Sequence, residues 1–261
     1  MFRGFVLATS LALTATVFAQ TTDIFKDFPQ GIGNVFVAGS SGARIAGSGQ
    51  IIEDTRPISG FMAVRSNAPV DIRLKASDRE SVTVRIDDNL AQFIETKLVP
   101  GDVPALEITI KPDASFRSQK HPVVLVEYKT LNQLVVRGPG DIRADRLEGD
   151  KLAVSISGSG DVRIDKLDVG TLGVSINGSG DFRAAGRADQ QGYRITGSGD
   201  VESADLAGRI VKVSIAGSGD VAVNVSEELE ATIKGSGDVK YRGSPKITQR
   251  VSGSGGVRRA K

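Results

Sequence analysis

The letters Gly-Ser-Gly-Asp return along the second half of the chain at an almost fixed spacing, which constrains the fold more than any other feature. The first glycines are Gly138, Gly158, Gly178, Gly197, Gly217, Gly235 and Gly253, with steps of 20, 20, 19, 20, 18 and 18 residues. The second glycines are Gly140, Gly160, Gly180, Gly199, Gly219, Gly237 and Gly255, and an outlying GSGQI begins at Gly47. A period near twenty marks a repeat architecture and is read before any local propensity.

The flanking residues give the conformation. Two, four and six positions before the glycine stand Ile156, Val154 and Leu152, and one unit later Ile176, Val174 and Leu172. After the corner come Val162 and Ile164, then Phe182 and Ala184, then Val221 and Val223. Strict alternation is the half-buried strand pattern. Each unit therefore reads as strand, tight corner, strand and looser return, with Leu147, Leu167 and Leu206 anchoring the return. So small a unit cannot bury its apolar face alone, but stacked on its neighbours it forms a continuous core. The expected fold is all-β, a parallel β-helix (β-solenoid) with 18–20 residues per coil. At roughly 4.8 Å per coil, seven corners make a row about 29 Å long.

Two glycines per coil need a reason, because each costs about 0.5–1 kcal/mol relative to alanine. The corner must demand either positive φ or an approach too close for a Cβ. Pro139 replaces the serine once, at a turn position that needs no donor. Asp141, Asp161, Asp181, Asp200, Asp220 and Asp238 follow the corner, where alternation points them outward, while Gly256 and Gln50 stand there in the other two copies. Carboxylates at coil spacing repel by roughly 1 kcal/mol in water. Arg143, Arg163, Arg183 and Lys240, two positions on, offset this, as do corner N–H groups; Glu202 and Ala222 interrupt the row. Replacing Asp161 and Asp181 by Asn is expected to lower stability modestly.

No cofactor is expected. Calcium β-rolls place an intervening residue between the last motif glycine and the Asp, whereas here Asp follows directly and arginine crowds the row, so calcium is disfavoured. A catalytic acid pair would depart locally from the repeat, and these acids are the repeat. His121 is the only histidine and the chain has no cysteine, which leaves no usual zinc site and no supported Ser/His/Asp arrangement. Asp87-Asp88-Asn89 reads as a turn and cap for a short helix carrying Leu90, Phe93, Ile94 and Leu98. GSGD lacks the Lys-Ser/Thr of a phosphate loop. Tyr128, Tyr193 and Tyr241 are too few for an evident sugar-stacking platform.

Arg3, the apolar run Phe5 to Val17 and the small-residue site Val17-Phe18-Ala19 mark residues 1–19 as a secretory signal peptide. The mature chain is thus expected in the periplasm, outside the cell or on its surface, with no transmembrane segment and no disulfides. Basic residues do not cluster with aromatics, which argues against a nucleic-acid partner. Residues 20–59 read as a Gly/Ser-rich, partly ordered segment and 60–130 as an irregular β half acting as a cap. Residues 131–257 form the regular solenoid and 258–261 a solvated basic tail.

The chain resembles a bacterial family, the auto-transporter adhesins with a head GIN domain. The matching phrases are Gly47-Ser-Gly-Gln-Ile51, Arg56-Pro-Ile-Ser-Gly-Phe61, Ile86-Asp-Asp-Asn-Leu90 and Phe93-Ile-Glu-Thr96, followed by the serial GSGD copies. The resemblance covers roughly residues 47–256. It implies a right-handed parallel β-helix turned by its GSG phrases, and an exported, envelope-associated adhesive role without catalytic residues. The expected function is thus non-enzymatic binding of a cell-envelope or surface component such as polysaccharide. The alternatives are a polysaccharide-active β-helix lyase or hydrolase, and a self-assembling structural envelope protein acting as a homo-oligomer.

Overall fold

A computed structural model describes residues 44–112 and 114–260; the expected leader and residues 20–43 lie outside the described residues. The first half holds strands β1 (Ile45–Ala46), β2 (Ile51–Arg56), β3 (Ala63–Ser66), β4 (Asp71–Ala76), β5 (Ser81–Asp87), β6 (Ile94–Val99), β7 (Ala105–Ile110), β8 (Phe116–Arg117) and β9 (Val123–Tyr128). The second half holds β10 (Gln133–Gly138), β11 (Ile142–Ala144), β12 (Leu147–Gly158), β13 (Val162–Gly178), β14 (Phe182–Gly197), β15 (Val201–Gly217), β16 (Val221–Gly235), β17 (Val239–Arg242), β18 (Lys246–Gly253) and β19 (Val257–Arg259). All but β1 and β8 join one continuous sheet that winds into a stacked-coil solenoid.

From β10 onward every ladder between coils is parallel, and the stretches that lead into the glycine corners stay in register from coil to coil. Val136, Ile156, Ile176, Ile195, Ile215 and Ile233 therefore form one buried column running along the axis. Full burial of each aliphatic side chain is worth about 1.5–3 kcal/mol. Leu147, Leu167 and Leu206 are buried as expected. The return segment is not loose, however: β13 runs unbroken from Val162 to Gly178, and its irregularity is confined to a register shift between Ile164 and Leu167.

The two corner glycines answer to different demands. Gly178 has φ +133, a region closed to most L-residues, whereas no positive φ is recorded at Gly180. At Gly180 a Cβ would lie 2.2 Å from the carbonyl oxygen of Gly160 in the coil below. Gly178 is held to glycine twice over, since a Cβ there would also lie 2.4 Å from the Gly158 carbonyl oxygen, whereas at Gly180 the close stacking of coils alone excludes a side chain.

The first half is more solenoidal than its sequence suggests. β3 and β4 form a coil directly below β10 and β11, with Gln133 on Ala63 and Ile142 on Ile72. This register sets Ala68-Pro69-Val70-Asp71 beneath Gly138-Pro139-Gly140-Asp141 as a corner without glycine. β7 and β9 then stack in parallel on the other side of β3 and β4. The chain thus lays down an inner coil, adds an outer one, and crosses back to continue the stack. Antiparallel pairs β2–β5, β5–β9 and β6–β7 close that end.

Two expectations are corrected. The helix expected from Asn89 is a single 3-10 turn, Ala91–Phe93, with no side-chain cap, and it leads into β6. Leu90 and Ile94 are buried, but Leu98 is 44% exposed. Likewise Arg258 and Arg259 are not a loose tail: they belong to β19, which pairs in parallel with β17.

Candidate binding groove

The aspartate row is a hydrogen-bonded ladder. Oδ1 of Asp141 accepts the N–H of Asp161 at 3.1 Å, Asp161 that of Asp181 at 2.8 Å, and Asp181 that of Asp200 at 2.8 Å. The series continues through Asp220 and Asp238 and ends at the N–H of Gly256, 2.9 Å from Asp238 Oδ1. The last corner only donates, so it needs no carboxylate. At the other end Asp71 receives the N–H of Asp141 at 3.3 Å, and His121 Nε2 lies 3.1 Å from its Oδ1.

Beside this ladder Arg73, Arg143, Arg163 and Arg183 stack in register on the outer face. Arg143 sits 3.6 Å from Asp141, while Arg163 turns to Asp165 at 2.7 Å and Arg183 to Glu202. Lys240 and Arg258 reach back to Asp220 and Asp238. Among the described residues Asp161, Asp181 and Asp200 have no ion pair within 4 Å, and Arg73 has neither an ion pair nor a hydrogen bond. Burial, together with the charges of Asp141 and Asp181, pushes the Asp161 carboxyl up from 3.8. Arg258 holds Asp238 down.

These rows floor an open groove of about 910 Å³ on the outer face of the sheet. Eight consecutive strands line it: β2, β5, β9, β4, β11, β13, β14 and, through Glu202, the start of β15. The antiparallel pair supplies a hydroxyl-bearing wall, where Thr55 Oγ1 and Thr83 Oγ1 are 3.1 Å apart and Ser81 donates to Glu127. Beyond Arg183 the groove continues as a second hollow of about 470 Å³, because Ala185, Ala204 and Ala222 stand where long side chains stood before. Tyr128 and Tyr193 are buried in the core and Tyr241 packs against it, so no tyrosine reaches the floor.

Elsewhere the phrases that carried the family resemblance pair off in space. GSGQI meets IDDNL: Gly49 N–H donates to Asp87 at 2.7 Å, and Ser48 N–H to Asn89 at 3.0 Å. Asp87 is fully buried, and the Ser118 hydroxyl, with the Gly49 N–H and Lys120, keeps its carboxyl below 3.8 despite that burial. Arg56 meets FIET, donating to the carbonyl of Ile94 at 2.6 Å and to Thr96 Oγ1 at 3.0 Å. These are clamps at the capped end, rather than the helix cap expected from the letters. Among the described residues no group of three or more His, Cys, Asp or Glu is placed to hold a metal ion. Of the groove, the sequence showed the Asp and Arg rows but not the walls. It also missed Arg73, although Asp71-Ile-Arg73 repeats Asp141-Ile-Arg143 letter for letter.

A stacked solenoid with a polar groove along one outer face defines an elongated scaffold of the binding class. The chain belongs to the family described as "Putative auto-transporter adhesin, head GIN domain", which matches residues 60–245. A putative adhesin from Bacteroides fragilis shares 26% identity at a TM-score of 0.76, over 83% of this chain and 100% of its own. Another, from Parabacteroides merdae, shares 25% at 0.65, over 84% and 99%. A putative lipid binding protein from Parabacteroides distasonis, 23% identical at 0.64 over 84% and 100%, has the same fold. No curated protein matches the chain. Among the described residues no helix is long and apolar enough to cross a membrane.

Proposed function

We propose that this chain is an exported, non-enzymatic binding protein of the cell envelope that engages its ligand along the groove on the outer sheet face. The observation that carries the reading is the groove itself, an extended polar hollow floored by the in-register rows. Membership of an adhesin family supports it, as does the leader-like start of the sequence. One observation favours an enzyme instead: a carboxyl with raised affinity for protons, Asp161, lies in the groove, as a general acid would. Its Oδ1 is tied to the next coil by a bond repeated at five other aspartates, which fits a scaffold better.

The test is to incubate the purified protein with bacterial envelope fractions, then assay the pellet for protein and the supernatant for released sugar. Saturable pelleting without fragments is expected. Fragments released only by unboiled protein would replace the binding reading with an enzymatic one, and absence of pelleting would contradict it.

A further inference from the structure

We infer that the groove holds an unbranched polysaccharide lacking acidic groups, laid along the solenoid axis with about one sugar ring per coil. This rests on the binding reading above and adds the ligand's chemistry and direction. A ligand filling the groove must cross the strands, because eight successive strands line it. It therefore meets the same pair of groups, one carboxylate and one guanidinium, at three successive steps of about 4.8 Å from coil to coil, flanked by Arg73 on one side and Glu202 on the other. Asp141 with Arg143, Asp161 with Arg163 and Asp181 with Arg183 are three such pairs in register.

A repeating surface of this kind suits a ligand with the same repeat. The ring-to-ring distance of an extended pyranose chain is close to the coil spacing, and although alternate rings of a β-1,4 chain are flipped, every ring carries hydroxyls on both edges. An extended peptide is not matched, since its same-face side chains recur every 6.6 Å or so. Nor can a peptide add as a strand here, because the groove is a sheet face whose backbone bonds are already made. Asp161 and Asp181 each have one oxygen fixed by a backbone N–H and the other left to accept, while Arg163 and Arg183 keep the guanidinium donors that Asp165 and Glu202 do not take. Sugar hydroxyls both donate and accept, so they satisfy both partners. The hydroxyls of Thr55, Thr83 and Ser81 continue that chemistry up the wall.

Charge narrows the class. Eight carboxylates and five cations line the groove, so a polyanion meets net repulsion, whereas neutral and amino sugars do not. The carboxylates are held in place before any ligand arrives, so little ordering is left to be done on binding.

The test is calorimetric titration of the full mature chain with β-1,4-linked glucose, N-acetylglucosamine and glucosamine oligomers of two to eight rings, and with galacturonate oligomers as the acidic arm. Five coils, β4, β11, β13, β14 and β15, floor the main groove. Affinity in at least one neutral or amino series should therefore climb with length to about five rings and then flatten, with galacturonates at least tenfold weaker. The double variant Arg163→Gln/Arg183→Gln should lose at least tenfold with an unchanged melting temperature, while Arg187→Gln/Arg209→Gln on another face should bind normally. Affinity independent of length, preference for galacturonates, or indifference to the groove variant would overturn the inference. Silence of all neutral and amino series while envelope fractions still pellet the protein would also overturn it and leave the binding reading standing. Loss of both signals would remove both.

Discussion

Asp161 accepts the backbone N–H of Asp181, one coil further on, at 2.8 Å. That bond, repeated along the solenoid, ties each corner to the next and fixes the register of the groove floor. It also separates two functions of the carboxylate, accepting a bond and carrying a charge. Asp161→Ala removes the acceptor, leaves the Asp181 N–H without its partner, and should cost about 1 kcal/mol. For a chain of this size that is a fall in Tm of about 2–4 °C, measurable by thermal unfolding.

Asp161→Asn should behave differently. The amide oxygen can still accept from Asp181, and the charge crowded by Asp141 and Asp181 is gone. Because the folded carboxyl lies above its ordinary 3.8, its ionised form opposes folding, and that opposition fades as pH falls through the folded pKa. The Asn variant should therefore melt at or above wild type at pH 7, with the difference shrinking toward pH 4. A constant deficit at both pH values would restore the modest loss expected from sequence.

Glycine substitutions should rank by what each Cβ meets. Gly138 has φ +105 and nothing within 4 Å of an added Cβ, so Gly138→Ala should cost only the backbone penalty, about 1–2 kcal/mol. At Gly180 the Cβ would strike the Gly160 carbonyl at 2.2 Å. Gly180→Ala should cost about 3 kcal/mol or more, read from denaturant midpoints. Equal losses at the two sites would mean that the stacked coils relax around the added methyl at Gly180 and that close approach does not select glycine there.

A hydrogen-bonded polar pair sits in the core of the regular coils. Gln191 and Tyr193, both fully buried, occupy positions held by Leu172 and Val174 one coil earlier. Tyr193 donates to Gln191 Oε1 at 2.9 Å, and Gln191 Nε2 donates to the carbonyl of Ala188 at 3.1 Å. Tyr193→Phe alone should lose about 1 kcal/mol, because it leaves a buried acceptor unpaired. Adding Gln191→Leu should recover most of that loss in a double-mutant cycle.

The regular half of the fold was legible because each coil states its own apolar alternation and its own corner. The first half was not, since the partner of Gln133 is Ala63, a coil laid down before the outer strands β7 and β9. Its corner also dispenses with glycine: Val70 keeps its Cβ, and the Pro122 carbonyl takes the Asp71 N–H at 3.0 Å where a GSG neighbour would otherwise stack. Leu90, Phe93 and Ile94 have helical spacing, yet one 3-10 turn followed by a strand buries Leu90 and Ile94 equally well. The groove wall could not be read because it arises from pairing β2 and β5 antiparallel against β9.

The absence of cysteine from the chain permits a direct test of the groove. A single Thr83→Cys on the wall, labelled with an environment-sensitive dye, would be titrated with solubilised envelope polysaccharide beside a Lys212→Cys control on another face. The predicted result is a saturable emission change at position 83 and none at 212. A change only at 212, or saturable pelleting with position 83 silent, would contradict the groove as the binding face.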